Sequence, residues 1–136
     1  MVEELIKLMN SQEKHLRQLL QLFEIQKELI MKKDVFALEG LVDKLNECSK
    51  KIAREEVARR NLLNDESLKE FIYNSNNVEL SNTYSEIVNI INKVILQKDT
   101  NEMLLKQQIG LNAKVLNMMN PNREMRTYNS YGNLSK

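Results

Sequence analysis

Proline, glycine, cysteine and histidine are all scarce in this chain. Its 136 residues include one proline, three glycines, one cysteine and one histidine, and there is no tryptophan. The proline is Pro121, so nothing before it is forced out of a helical conformation. The single cysteine excludes an intrachain disulfide. Long stretches rich in Leu, Glu, Lys, Gln and Met lose little side-chain freedom in a helix, so the composition predicts an all-α protein.

The chain also lacks an excess of either charge and any long apolar run. Twenty basic residues balance nineteen acidic ones, for a net charge of +1, and the two signs alternate as they do on solvated helix faces. Nucleic acid and anionic membranes are therefore not the expected partners, since their binders carry a basic patch. No stretch of about 18 apolar residues predicts a membrane span. No signal peptide is recognisable, which favours the cytoplasm.

Side chains that do chemistry are few. His15 flanks the apolar stripe of a predicted helix, and Cys48 lies on such a stripe, where a structural role is the expected one for both. No glycine-rich phosphate loop and no spaced His/Cys pattern is present. We therefore expect no catalytic residues, no cofactor and no metal, and we expect the chain to work by binding another protein.

Apolar residues recur at helical spacing in three long segments, at about residues 2–32, 35–63 and 79–119. Residues 64–78 read as a connection with a short helix of its own. Asp34 is a suitable N-cap between the first two segments, although a single bent helix also satisfies the pattern.

The predicted fold is an all-α, antiparallel bundle of three long helices with one short connecting helix and a flexible C-terminal tail. We assign residues 1–120 to the bundle and residues 121–136 to the tail, because Pro121 ends the helix and few large apolar groups follow it. The stripe expected on the third long helix contains Leu80, Tyr84, Ile87, Ile91, Val94, Leu104 and Leu105.

The end of the third segment is unusually poor in charge. From residue 103 to residue 122 only Lys106 and Lys114 are charged, and apolar residues fill about half of the helix circumference. They form two seams. The first seam consists of Leu104, Leu111, Val115 and Met118, and the second seam consists of Leu105, Ile109, Leu116 and Met119.

A single packed helix needs only one such seam. The second seam must be buried by another helix of this bundle, by a second copy or by a different protein. If a different protein covers it, the partner-binding residues are Leu105, Ile109, Asn112, Leu116 and Met119, and the methionine there suits partners of varied shape.

A structural role is the alternative. A helical-bundle or coiled-coil adaptor, or a homo-oligomeric scaffold, would bury the same seams in a stable assembly. Polar residues interrupt the stripes, however, and no heptad stays uninterrupted for three or four repeats, so an intramolecular bundle fits better. The interrupting residues are Gln12, Gln26, Lys98, Asn101 and Gln108.

Three motifs resemble the FlgN family of flagellar type III export chaperones. Residues 33–39, Lys-Asp-Val-Phe-Ala-Leu-Glu, are similar to the family's Gly-Asp followed by Leu and Glu residues. Residues 101–105, Asn-Glu-Met-Leu-Leu, resemble its repeated Asn before a Leu pair, although Lys98 stands where a first Asn is common. Residues 127–132 resemble its Tyr-three-residues-Gly motif, with Asn129 where Gly is common.

The resemblance implies a function. It implies a cytoplasmic chaperone that binds the C-terminal helical segments of hook-associated, hook–filament junction proteins, prevents their premature assembly and delivers them to the type III export apparatus. It places cargo binding on the C-terminal helix, and it makes Tyr128 the expected contact to the export gate, with Tyr131 a less favoured substitute. It implies no cofactor, no nucleic acid and no membrane insertion, and it leaves a homo-oligomer open.

Overall fold

A computed structural model of the protein describes residues 1–109, in which helices account for 91% of the residues and no strand is present. The helices are α1 (Val2–Lys32), α2 (Val35–Leu62), α3 (Leu68–Ser75) and α4 (Val78–Ile109). The all-α prediction is therefore confirmed. The expected end of the bundle at residue 120 and the expected tail lie outside the described residues.

The turn between α1 and α2 is tight and fully hydrogen-bonded. Lys33 adopts the left-handed conformation, with φ 57°, and its amide donates to the carbonyl of Ile30 at 3.0 Å, while the Asp34 amide donates to Leu29 at 3.0 Å. The Asp34 carboxylate then accepts from the Ala37 amide at 3.1 Å and caps α2. The first two segments are thus separate helices, and the possibility of one bent helix is wrong.

Helix α1 lies at the centre and packs extensively against both α2 and α4. Helices α1 and α2 are antiparallel, because Ser11 contacts Glu55 whereas Ile30, later in α1, lies with Leu38, earlier in α2. The contacts of α1 with α4 run in the same direction: Arg17 reaches Glu86, and further along, Ile30 meets Leu105. The long helices therefore run up, down and up. Within residues 1–109, α2 and α4 barely touch each other.

Short-range capping sets the path from α2 to α4. The Ser67 hydroxyl accepts from the Glu70 amide at 3.4 Å and so caps α3, the short helix predicted in this connection. Asn77 accepts from the Leu80 amide at 2.9 Å and begins α4 in the same way. Ile72 anchors α3 in the interior.

Two hydrophobic clusters form the interior. The main core joins all four helices, and the end core joins the last turn of α1, the first turns of α2 and the end of α4. The buried residues of the main core are Leu5, Ile6, Met9, Leu16, Leu19, Cys48, Leu63, Ile72, Leu80, Ile87, Ile90 and Val94. The end core consists of Ile30, Leu38 and Leu105, with Leu29, Val35 and Leu104 packed against it.

The phase of α4 differs from the predicted stripe. Ile90 is 2% exposed and Thr83 is buried, whereas Ile91 is 37% exposed and Tyr84 is half-buried. Helix α4 carries two adjacent apolar rows, one that includes Ile90 and one that includes Ile91. The spacing in the sequence fits both rows and does not show which of them packs against α1. The expectation that Ile91 lies in the core is wrong.

Lys33→Gly should stabilise the protein by about 0.5–1 kcal/mol, because a left-handed residue strains any side chain that carries a Cβ. Urea unfolding followed by circular dichroism would measure this. Lys32→Gly, one residue earlier and inside α1, is the matched control and should destabilise by about 1 kcal/mol. Equal losses for both variants would contradict the role assigned to the Lys33 conformation.

Candidate partner-binding site

The face of α4 that meets α1 leads directly toward the predicted partner-binding residues. Its buried members recur at helical spacing as Ile87, Ile90, Val94, Asn101 and Leu105. The second seam was predicted to begin at Leu105 and continue through Ile109. The spacing therefore predicts that the site continues the core-facing side of α4 beyond Leu105.

A buried amide pair interrupts this apolar face. Asn101 is 2% exposed, and its Nδ2 donates to the backbone carbonyl of Phe23 at 2.7 Å and to Oε1 of Gln26 at 2.8 Å. Its Oδ1 accepts from Nε2 of Gln97 at 3.0 Å. Gln26 and Asn101 were read from the sequence as separate interruptions of two stripes. The structure joins them into one hydrogen-bonded contact between α1 and α4.

Leu105 lies in the end core and is 5% exposed. Helix α1 still covers α4 at this level through Ile30, and the first turns of α2 add Leu38. At Leu105 the second seam is therefore covered by the bundle itself, one of the three coverings that the sequence left open, and a role of Leu105 in partner binding stays a prediction. Leu104, from the first seam, is only half-buried beside it.

The remaining predicted residues fall at or beyond the last residue of α4. Ile109 is the last residue that the structure describes, and Asn112, Leu116, Met119 and Tyr128 lie outside the described residues. Their predicted roles therefore stay predictions. What the structure adds is the position and the phase from which the C-terminal segment starts.

Polar contacts on the opposite side of α1 hold α2. Nδ1 of His15 lies 2.9 Å from both carboxylate oxygens of Glu55, and the Ser11 hydroxyl donates to the same carboxylate. Gln12 donates to Glu56 at 3.4 Å. Residues 54–60 of α2 are mostly charged and include few apolar side chains. In this stretch the polar contacts therefore help to hold α2 against α1. His15 has the structural role expected of it.

Cys48 belongs to the main core, as its place on the stripe predicted. Its thiol donates to the backbone carbonyl of His15 at 3.3 Å. Burial raises the pKa of the Cys48 thiol; Lys51 opposes this rise and Glu55 adds to it. The thiol is thus poorly suited to act as a nucleophile. Within residues 1–109, no three His, Cys, Asp or Glu side chains converge as metal ligands would.

One apolar row of α4 is partly exposed, which the sequence did not predict. Val88, Ile91 and Ile95 recur at helical spacing and are more than a third exposed, and Leu96 beside them is more exposed still. The sequence signal was present, because these residues form the second of the two adjacent rows. Periodicity assigned Ile91 to the core and could not show that the described helices leave this row partly uncovered.

Comparison with known protein families gave one result. The family model described as "FlgN protein" matches residues 1–136, the whole chain. Searches of curated proteins and of solved structures gave no match. None of the four described helices combines the length and apolar character that crossing a lipid bilayer requires.

Alanine substitutions at three successive residues would test the placement of the end core. Leu105→Ala should destabilise by about 2–3 kcal/mol, because it leaves a cavity against Ile30 and Leu38. Leu104→Ala should cost less, since that side chain is half-buried, and Met103→Ala, at a residue 54% exposed, should cost little. Urea unfolding would rank the three. A Leu105 cost no larger than that at Met103 would place Leu105 outside the core.

Proposed function

The chain belongs to the FlgN family of flagellar export chaperones, and we propose that it performs this role by binding hook-associated proteins through the C-terminal continuation of α4. FlgN is a chaperone family, not an enzyme family. In this proposal the cargo is the C-terminal helical segment of a hook–filament junction protein. The chaperone holds it unassembled in the cytoplasm and delivers it to the type III export apparatus.

The observation that carries the proposal is the register of α4 on α1. Gln26 is level with Asn101, and Ile30 is level with Leu105. Helix α1 ends two residues later, at Lys32, and the chain then turns back into α2. The same register puts the end of α1 level with about residue 107 of α4. Beyond that level the α1–α2 hairpin has no more chain with which to cover α4.

Apart from Leu105, the predicted partner-binding residues follow this level, and their spacing predicts the phase of the core face. From Leu105 the spacing to Ile109, Asn112, Leu116 and Met119 is four, three, four and three residues. In a continuing helix these residues extend the side that α1 covers further back, past the end of α1. This supports a docking face for an added amphipathic helix, since such recognition needs apolar contacts at that spacing.

Covering an apolar helix face of the cargo is a task that a chaperone performs without a cofactor. A cargo segment that assembles through an apolar helix face is held unassembled when another helix covers that face. Methionines among the contacts tolerate different cargo sequences. A second contact through the tail, at Tyr128, would bring the loaded complex to the export gate and raise its effective concentration there.

Leu116→Glu and Met119→Glu, in the full chain, should each weaken binding to purified hook-associated proteins by at least about 100-fold, because a charge replaces a buried apolar contact. Titration calorimetry would measure the affinity, and circular dichroism should show nearly unchanged helix content. Met103→Glu is the matched control: it lies on the same helix but away from the core face, and its side chain is 54% exposed. It should bind as the unmodified chain does.

If Leu116→Glu instead unfolds the protein, the second seam belongs to the core of the bundle. A capture experiment from a flagellated bacterial lysate distinguishes the chaperone from the alternative, a homo-oligomeric scaffold. The bait should be compared with a chain ending at Gly110, because a shorter chain would remove Leu104 and Leu105 from the end core. Recovery of hook-associated proteins by the full chain alone supports the proposal. Recovery of only the chain itself favours the homo-oligomeric scaffold.

Tyr128→Ala should leave cargo affinity unchanged and reduce export of hook-associated proteins into the medium several-fold, since it removes the second contact and leaves the first. Immunoblotting of secreted protein in a complemented strain would measure this. Tyr131→Ala is the control for the neighbouring tail tyrosine and should export normally. Equal export by both variants would remove Tyr128 from the gate contact.

A further inference from the structure

We infer that the Gln26–Asn101 amide pair is a register lock: it fixes the lengthwise position of α4 on α1 and so determines how far the C-terminal segment projects beyond the hairpin. The contact is the only cross-helix side-chain amide pair that the described residues contain. It lies between the main core and the end core. Its consequence for cargo binding rests on the proposed function, whereas the lock itself does not.

The hydrogen bonding of Asn101 is specific to one register. Both Nδ2 hydrogens are used across the interface, one by the Phe23 carbonyl and one by Gln26, and Oδ1 is used by Gln97 within α4. A slide by one helical turn moves α4 by about 5.4 Å. It would leave two buried amides without these partners, and unsatisfied buried polar groups are strongly disfavoured.

Apolar contacts alone discriminate poorly between neighbouring registers here. The flanking positions offer large aliphatic side chains on both helices, including Leu19 and Ile30 on α1 and Val94 and Leu105 on α4. Sliding one such row past another exchanges similar contacts, since each aliphatic residue meets another aliphatic residue. A single buried amide in an apolar helix interface is the established way in which a sequence selects one register at some cost in stability.

The lock lies where register matters most for the proposed site. Asn101 is one helical turn before Leu105 and two turns before Ile109. A one-turn slide toward the N-terminus of α1 would draw Ile109 beside the end of α1, and the opposite slide would expose Leu105. Gln26 and Asn101 are thus positioning residues for a partner-binding segment that neither of them is expected to touch.

The test measures register directly. Spin labels at Lys14→Cys and Met103→Cys, both at exposed positions, are placed in a Cys48→Ala background, and double electron–electron resonance gives the distance between α1 and α4. Met103 is level with about residue 28 of α1, so the labels are about 20 Å apart along the helix axis and their distance changes with any lengthwise slide. The labelled parent chain, which retains Gln26 and Asn101, should show a distance distribution with one narrow peak. The double variant Gln26→Leu with Asn101→Leu should show a broadened or two-peaked distribution, with a thermal midpoint equal to or above that of the parent.

Two variants control for simple loss of buried polarity. Thr83→Val removes a buried hydroxyl from the same interface, but that hydroxyl bonds only to the Glu79 carbonyl within α4, at 2.9 Å, so the distance should stay narrow. The exchange Gln26→Asn with Asn101→Gln retains one long and one short amide and should restore the narrow distance. If the double leucine variant does not fold, Gln26→Met removes one amide at nearly constant length and takes its place.

Affinity for the hook-associated proteins encoded in the same genome is measured on the same variants. Broadening with at least about tenfold weaker binding supports the whole inference. A narrow distance in the double leucine variant overturns the lock. Broadening with unchanged affinity keeps the lock and overturns its role in presenting the binding segment. If the parent chain binds none of these proteins, the proposed function fails, and the distance measurement still decides the lock.

Discussion

The structure depends on the packing of one helix, α1, against two other helices at once. Helix α1 supplies one broad apolar face, with α2 along one side and α4 along the other, and these two barely touch each other within the described residues. Its polar contacts divide in the same way: His15 joins it to Glu55 of α2, and Gln26 joins it to Asn101 of α4. Because α2 and α4 lack an extensive interface of their own, the arrangement of the four helices follows from α1.

Local signals made the helices predictable. Asp34 and Ser67 cap helices through bonds to backbone amides three residues later, and such contacts depend only on neighbours in the chain. The predicted first segment ends at residue 32, as α1 does, but the left-handed conformation of Lys33 was not predicted, since lysine is not the residue expected there. The family resemblance points to glycine at this position, and the φ of 57° gives the physical reason.

Long-range relations were not predictable in the same way. Two adjacent apolar rows on α4 left the choice between Ile90 and Ile91 open, and only packing against α1 decides it. Gln26 and Asn101 each interrupt an apolar stripe, and the sequence does not show that the Asn101 amide donates to Gln26 across the interface. Leu105 looked available to a partner because the sequence does not show how far α1 extends along α4. Most of the charge-poor segment lies outside the described residues, so its predicted contacts stay predictions.

The connectivity has a consequence for how the chain folds. The α1–α2 hairpin closes through a two-residue turn, whereas the bond between Asn101 and Phe23 spans 78 residues. Loop-closure entropy rises with separation along the chain, so the hairpin is the earlier unit and α4 docks onto a face that is already assembled. Because synthesis begins at the N-terminus, the hairpin leaves the ribosome before α4 does. In that interval the α4-facing side of α1 is bare apolar surface, and the chaperone itself passes through a stage in which it must avoid association.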